Sequence, residues 1–358
     1  VTIYDNSGDS LDAAVSRAPG VAAVQSDLLR EGAVSDAVRD CDIAVGAVPG
    51  FMGFRTLAAV LEAGKDVVDI SFFEQDPMQL QELAKRGSCR CLVDFGIAPG
   101  CTNLFFGRCR KLLSRIRVFE CYVGGLPRER RLPWQYKAPF SPVDVLEEYV
   151  RPARLIRDGA LVTLPALSEP ELMDFDGVGT LEGFLTDTLR TLLQEGVDLG
   201  LESMIEKTLR YPGHRERVQV LLDAGLLSSE PLEVAGHSVS PLELTGRLLI
   251  PAWHLGEGER DLTALRVIAT GTDAAGRAAS VAWEMLDEYD SVSRTTSMAR
   301  TTGYTCTAGV RLLAAGLWSE TGIATPQTVG MSDACYRFIL DRLAERNVLF
   351  DGGRLETG

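Results

Sequence analysis

The stretch IAVGAVPGFMGFRTLAAVLEAGKDVVDI, Ile43–Ile70, decides the fold. Ile43–Val48 is a short apolar run stopped by Pro49-Gly50, which predicts a buried strand. Phe54–Ala63 carries apolar residues at helical spacing and is closed by Gly64, the residue that most readily takes the left-handed conformation ending a helix. Val67–Ile70 is again a short apolar strand. The same alternation holds on either side. Val1–Tyr4, Val21–Val24 and Cys91–Phe95 predict strands; Ser10–Ala18, Glu31–Arg39 and Pro77–Arg86 predict helices. Apolar strands separated by helices imply a parallel sheet with helices on both faces.

This is an α/β, doubly wound, Rossmann-type arrangement, and it makes particular residues candidates. In such a sheet an acid at the end of the second strand accepts hydrogen bonds from an adenosine ribose, and ligands gather outside the carboxyl ends of the strands. Asp5 ends the first strand of the sequence, and Asn6-Ser7-Gly8 after it offers no Arg for a 2′-phosphate, so the expected cofactor is NAD. With Asp5 on strand two, strand one and its Gly-x-Gly-x-x-Gly turn are expected about 20 residues earlier. That falls before Val1, which reads as the middle of a fold, so the sequence is expected to be N-terminally incomplete. Ala47, Val48, Pro49, Asp69, Ser71, Gly96 and Ala98 stand at the following strand ends and are the other expected cofactor contacts.

From about Ile116 the pattern changes to an α+β unit. Arg115–Val123, Val162–Leu164, Leu232–Val239, Leu262–Thr270 and Val281–Leu286 predict strands. Pro142–Tyr149, Leu181–Glu195, Arg215–Ala224, Gly303–Ala315 and Asp333–Glu345 predict helices. The expected division is a dinucleotide-binding domain over 1–114, an α+β substrate and dimerisation domain over 115–300, and helices over 301–358 that return to the first domain.

Composition excludes several classes. The chain has 358 residues, 46% hydrophobic and 24% charged, enough for roughly two domains with full cores. Its formal net charge of -14 opposes a phosphate backbone, so no nucleic-acid partner is expected. No apolar run approaches the ~18 residues of a membrane span, and no signal peptide is visible. Eight scattered cysteines in apolar surroundings suggest reduced thiols and a cytoplasmic protein. Cys89-Arg-Cys91 has the wrong spacing for a zinc knuckle and only three histidines exist, so no metal site is expected.

Longer motifs carry a family resemblance. Leu92–Asn103 resembles the D-x-G-x-x-P-G segment of saccharopine dehydrogenase-like enzymes, and Tyr122–Pro127 their G-G-L-P motif. Tyr136–Pro142 resembles their Y-K-x-x-W-S-P segment, with Phe140 at the aromatic position. Glu147–Ile156, Glu182–Arg190, Thr208–His214, Met298–Tyr304 and Gly322–Pro326 are most similar to the lysine 6-dehydrogenase branch. Ala98 stands where saccharopine-forming relatives have Asp, which argues against the larger saccharopine substrate.

The resemblance implies NAD-dependent oxidation of the ε-amine of L-lysine. The products are ammonia, NADH and 2-aminoadipate 6-semialdehyde, which cyclises to piperideine-6-carboxylate. It also implies a homodimer. Such a site must hold a carboxylate and deprotonate an ammonium whose free pKa is about 10.4, some three units from neutrality and worth about 4 kcal/mol. Arg151 is the first candidate for the carboxylate, followed by Arg154 and Arg210, because a guanidinium binds carboxylate in two parallel hydrogen bonds. His214, in a turn that the resemblance places near substrate, is a candidate proton shuttle. Asp94 and Tyr122 are candidates to bind or deprotonate the amine, and Lys137 to assist at the imine. His237 and His254 carry no motif and are expected to be structural. The alternatives are a saccharopine or carboxynorspermidine-type C–N dehydrogenase and, in another class, a non-catalytic binding protein of the same fold.

Overall fold

A computed structural model describes residues 1–139 and 142–357, without the side chains of 142–144. Phe140 and Ser141, in the middle of the Tyr136–Pro142 segment, lie outside the described residues. The chain divides into two units, Val1–Asp94 with Gly309–Ala324 and Phe95–Ala308 with Thr325–Gly358. This differs from the expected division. The helix Cys101–Leu112, which the sequence pattern does not announce, belongs to the second unit, and only Gly309–Ala324 of the C-terminal part joins the first.

The first unit runs β1 (Thr2–Asp5), α1 (Gly8–Arg17), β2 (Ala22–Gln25), α2 (Ala33–Val38), β3 (Ile43–Gly46), α3 (Gly50–Glu62), β4 (Asp66–Asp69), α4 (Gln81–Arg86) and β5 (Arg90–Leu92). A later strand, β16 (Gly322–Ala324), returns to it. Every pairing is parallel, in the order β16-β5-β4-β3, with β1-β2 as a separate pair. The parallel strands thus form two sheets, and no described residues supply a strand between β1 and β3. Leu57, Val60 and Leu61 of α3 recur at helical spacing and are buried against Val67, Phe73, Cys91 and Val93, which forms the core of the four-stranded sheet.

The second unit opens with α5 (Cys101–Leu112) and β6 (Arg115–Pro127), then α6 (Pro142–Val150), β7 (Ala153–Arg157), β8 (Ala160–Leu164), β9 (Glu171–Phe175), β10 (Gly179–Leu185), α7 (Leu192–Asp198) and β11 (Ser203–Arg210). It continues with α8 (His214–Asp223), the hairpin β12 (Leu232–Val234) and β13 (His237–Val239), α9 (Pro241–Trp253), β14 (Asp261–Thr272), β15 (Ala278–Glu288) and α10 (Ser297–Ala314), which from Gly309 on is counted with the first unit. It ends with α11 (Pro326–Gly330), α12 (Asp333–Ala344) and two short strands, β17 (Asp351–Gly352) and β18 (Glu356–Thr357).

Its ten-stranded sheet has the central order β15-β14-β6-β11-β10-β9, and the β6–β11 pairing is parallel while the others in this path are antiparallel. Side chains alternate between faces along a strand. In this register Phe119, Cys121, Met204, Glu206, Thr208, Arg210, Val267 and Trp283 share one face, and Tyr122, Lys207, Leu209 and Arg266 the other. Helix α5 covers part of the first face, with Phe105 stacked on Trp283 at 4.6 Å and Phe106 edge-on to Phe119 at 4.9 Å.

Helix α5 also packs closely on α11. A Cβ at Gly107 would lie 2.0 Å from the Gln327 carbonyl oxygen, which belongs to rigid backbone. Gly107→Ala is therefore expected to cost about 2 kcal/mol by overpacking, a drop of roughly 5 °C in a thermal melt. An unchanged melting temperature would show that the two helices separate freely.

Candidate functional site

The second unit gathers its buried polar groups where α6, α8 and α9 cover the end of β11. Glu206, Thr208 and Arg210 project from one face of that strand at two-residue intervals, and all three are buried. Arg210 donates from Nε to the Tyr149 hydroxyl at 2.8 Å and from NH1 to the Leu209 carbonyl at 2.9 Å. Its guanidinium carbon lies 4.6 Å from the Tyr136 ring centroid, in cation–π contact. Its NH2 finds the Glu148 carboxylate only at 4.0 Å. Thr208 holds Glu148 by donating to Oε1 at 2.5 Å and meets Thr186 Oγ1 at 2.8 Å.

Oε1 of Glu206 has no hydrogen-bond partner. Burial pushes its carboxyl up to about 7, and the Glu148 charge adds to the rise. A carboxyl that ionises near neutrality suits general acid–base work.

His214, the first residue of α8, is fully buried between Tyr136, Tyr149 and Trp253, with ring centroids at 5.1, 5.7 and 5.7 Å. Its Nδ1 lies 2.8 Å from the Trp134 carbonyl oxygen and its Nε2 3.0 Å from the Tyr149 hydroxyl. Burial, and then the Arg210 charge, push its pKa down to about 3. A ring sealed and held neutral in this way does not fit the expected role of a proton shuttle.

The other expected substrate residues are placed apart from this group. Tyr122 is on the opposite face of the sheet, where burial and neighbouring Glu120 and Glu171 push its phenol upward, so it does not share a surface with Arg210. Lys137 is ion-paired with Glu259 at 2.6 and 2.8 Å, and a second bond from Gly256 N–H fixes that carboxylate. Arg154 is bound to Asp187 through two parallel bonds of 2.9 Å, so its fork is already filled. Arg151, the residue after α6, faces Glu147 on that helix at 3.8 Å. Of the three arginine candidates, Arg210 is the buried one, and its nearest carboxylate oxygen is 4.0 Å away.

Sequence reasoning missed Glu148, Tyr149, Glu206 and Thr208. The available signal was the period-two run Glu206-x-Thr208-x-Arg210, which puts three polar groups on one strand face.

In the first unit, Asp5 is partly exposed and accepts the Ser7 amide at 2.8 Å through Oδ1. Ala47 and Pro49 are exposed in the loop after β3. Val48 N–H donates to Ser71 Oγ at 3.2 Å, while Ser71 donates from its amide to Asp69 Oδ1 at 2.8 Å. Asp69 is buried, and its Oδ2 fills the space beside Gly46, where a Cβ would lie at 1.8 Å. Asp69 and Ser71 thus join the ends of β3 and β4, and the exposed groups are Ala47 and Pro49. Asp94 is buried with φ 57° at the end of this unit. Gly96 and Ala98 open the second unit, where Gly96 accepts the Cys101 amide at 3.1 Å.

These residues fit part of a dinucleotide. A carboxylate with a free oxygen at the end of β1 matches a ribose diol, and the small residues after β3 leave the backbone open to a ligand. The glycine-rich turn for a pyrophosphate is not among residues 1–358. Among the described residues no group of three His, Cys, Asp or Glu is arranged to hold a metal ion. No helix among them is long and apolar enough to cross a membrane.

Comparison with known proteins agrees with this architecture. Residues 96–349 match the family model described as the saccharopine dehydrogenase C-terminal domain. The saccharopine dehydrogenase [NADP(+), L-glutamate-forming] of Schizosaccharomyces pombe is 25% identical over 261 residues, 70% of this chain and 58% of that protein. The mitochondrial alpha-aminoadipic semialdehyde synthase of Mus musculus is 21% identical over 224 residues, 60% of this chain and 24% of that protein. The chain thus spans about half, or less, of the length of these curated relatives. Among solved structures, apo saccharopine dehydrogenase (L-Glu forming) from Saccharomyces cerevisiae superposes with a TM-score of 0.79 at 17% identity, covering 98% of this chain and 94% of that one. Homospermidine synthase from Legionella pneumophila in complex with NAD superposes with a TM-score of 0.66 at 12% identity, covering 98% and 84%. At these identities the two structures establish a shared fold.

Proposed function

Because the chain belongs to the saccharopine dehydrogenase family of NAD(P)-dependent oxidoreductases, we propose that it oxidises the terminal carbon–nitrogen bond of an amino acid, L-lysine, with NAD. The observation that carries this proposal is Arg210, a buried guanidinium held by Tyr149, Tyr136 and Leu209 whose nearest carboxylate, Glu148, stands 4.0 Å from its NH2. A substrate carboxylate that approaches this face gains charge-assisted bonds closer than the one Glu148 makes at 4.0 Å.

Glu206 supplies the complementary role. It lies four residues along β11 on the same face, so the two backbone positions are about 13 Å apart at ~3.3 Å per residue. An extended lysine spans about 7 Å from carboxylate carbon to ε-nitrogen at C–C bonds of about 1.5 Å. Glu206 takes the proton that the ε-ammonium must lose before its carbon can release hydride. Nicotinamide, when bound, supplies the hydride acceptor. Water then adds at the ε-carbon, the C–N bond breaks, and ammonia leaves with the aldehyde. Asp5 holds the ribose, and the absence of Arg in Asn6-Ser7-Gly8 favours NAD over NADP.

A saccharopine-type substrate is the second reading, favoured by the names of the curated relatives. The deciding assay offers L-lysine, saccharopine and a polyamine with each of NAD and NADP. Lysine-dependent NADH formation is expected. Turnover of saccharopine alone would transfer the assignment to the second reading, and turnover of none would reject both.

A further inference from the structure

We propose that His214 is a positioning residue for Arg210, acting through Tyr149 as a neutral imidazole that carries its proton on Nδ1. The inference rests on the reading of Arg210 as the carboxylate holder for its consequence in binding, but its geometry stands independently.

The direction of each hydrogen bond follows from the two ends of the relay. The Trp134 carbonyl can only accept, so Nδ1, at 2.8 Å, must donate to it. Arg210 Nε can only donate, so the Tyr149 oxygen, at 2.8 Å, must accept from it. The Tyr149 proton then points to the remaining partner, His214 Nε2 at 3.0 Å, which in this tautomer carries a lone pair. Both ends therefore demand one orientation: Arg210 to Tyr149, Tyr149 to His214, His214 to the backbone at Trp134. A proton on Nε2 would set two donors against each other along the middle bond.

The surroundings enforce the same state. His214 is sealed between Tyr136, Tyr149 and Trp253, and the charges that face it are the cations Arg210 and Arg217, both of which disfavour a charged ring. Glu148 faces Arg210 and Tyr149 rather than the imidazole. The contacts draw on α6, α8 and α9, so the ring ties the orientation of a guanidinium on β11 to three helices.

Two amide substitutions separate positioning from packing. A glutamine oxygen can stand at the Nε2 position and accept from Tyr149. An asparagine amide can stand at Nδ1 and donate to Trp134 but leaves Tyr149 without its acceptor. His214→Gln is expected to bind L-lysine within about threefold of wild type by calorimetry, and His214→Asn about tenfold more weakly. Thermal melts should show the two variants to be similarly folded. Independently of any ligand, the Arg210 Nε–H proton should resist hydrogen exchange in wild type and His214→Gln and lose that protection in His214→Asn. The imidazole nitrogens of the wild-type protein should show Nδ1 protonated, Nε2 bare, and no titration between about pH 5 and 9.

Equal loss of Arg210 protection in both variants, or a ring that titrates near its ordinary pKa, would overturn the proposal and leave His214 as a packing residue. If Arg210 protection follows the expected pattern but lysine binding does not respond, the carboxylate reading fails and the positioning role survives.

Discussion

Arg210→Lys is expected to weaken the binding of L-lysine about 100-fold, or about 2.7 kcal/mol. Lysine keeps the positive charge but replaces a planar fork with a single flexible ammonium. The ammonium cannot donate to the Tyr149 hydroxyl, to the Leu209 carbonyl and to an incoming carboxylate in the fixed plane that Arg210 provides. It also forfeits the stacking of the guanidinium on Tyr136. Titration calorimetry measures the effect without turnover. Arg154→Lys serves as the comparison, because Arg154 is already filled by Asp187 and its loss should leave lysine affinity within about twofold. Equal effects at the two positions would show that neither arginine holds the carboxylate.

Glu206→Gln is expected to make the protein more stable and less active. Its folded-state pKa of about 7 is raised above the ordinary carboxylate value of 4.5. A group with a raised folded pKa contributes stability that is fully present below about pH 4.5 and is lost as pH rises through about 7. Across 2.5 units the loss amounts to about 3 kcal/mol in order of magnitude, at 1.36 kcal/mol per unit. Glutamine has nearly the shape of the protonated acid and cannot ionise. Urea unfolding should therefore find wild type and variant alike near pH 4.5 and the variant about 3 kcal/mol more stable at pH 8.5. Turnover should fall at least 100-fold, the usual contribution of a positioned acid or base. Such a trade of stability against activity is the mark of a strained functional group. A variant that gains stability but keeps full turnover would make Glu206 a structural liability with no chemical role.

How far the molecule could be read from its residues varied by region. In Val1–Asp94 the apolar strands, the helix of Leu57, Val60 and Leu61, and the stop at Gly64 all follow one rule, and the structure repeats the expected order of elements; strand β16, which joins this unit, was not expected. The second unit breaks that rule where its polar groups turn inward. Strand β11 went unrecognised because Glu206, Thr208 and Arg210 occupy the buried face, which a pattern of apolar-in and polar-out treats as the outside. Leu181–Glu195 reads as a helix because Leu181, Phe184 and Leu185 recur at helical spacing. They lie in β10 instead, buried on both faces of the sheet, and the helix there begins at Leu192.

The site was legible in part. The motif Thr208–His214 contains both Arg210 and His214, which are neighbours through Tyr149. Their roles were not legible, because what distinguishes them is three-dimensional. Asp187 fills Arg154, Glu259 fills Lys137, and three aromatic rings hold His214 neutral. Each of these partners lies far along the sequence, and no local pattern announces the pairing. Tyr122 shows the same limit in its simplest form. A one-residue step along β6 separates the face of Cys121 and Glu206 from the face of Lys207 and Glu171.

A crystal of the protein grown with L-lysine and NADH tests the proposed function most directly. The expected electron density places the lysine α-carboxylate within hydrogen-bond distance of the Arg210 guanidinium, with the ε-nitrogen toward Glu206. Density that seats the carboxylate on another cation, with Arg210 still facing Glu148 as it does here, would contradict it.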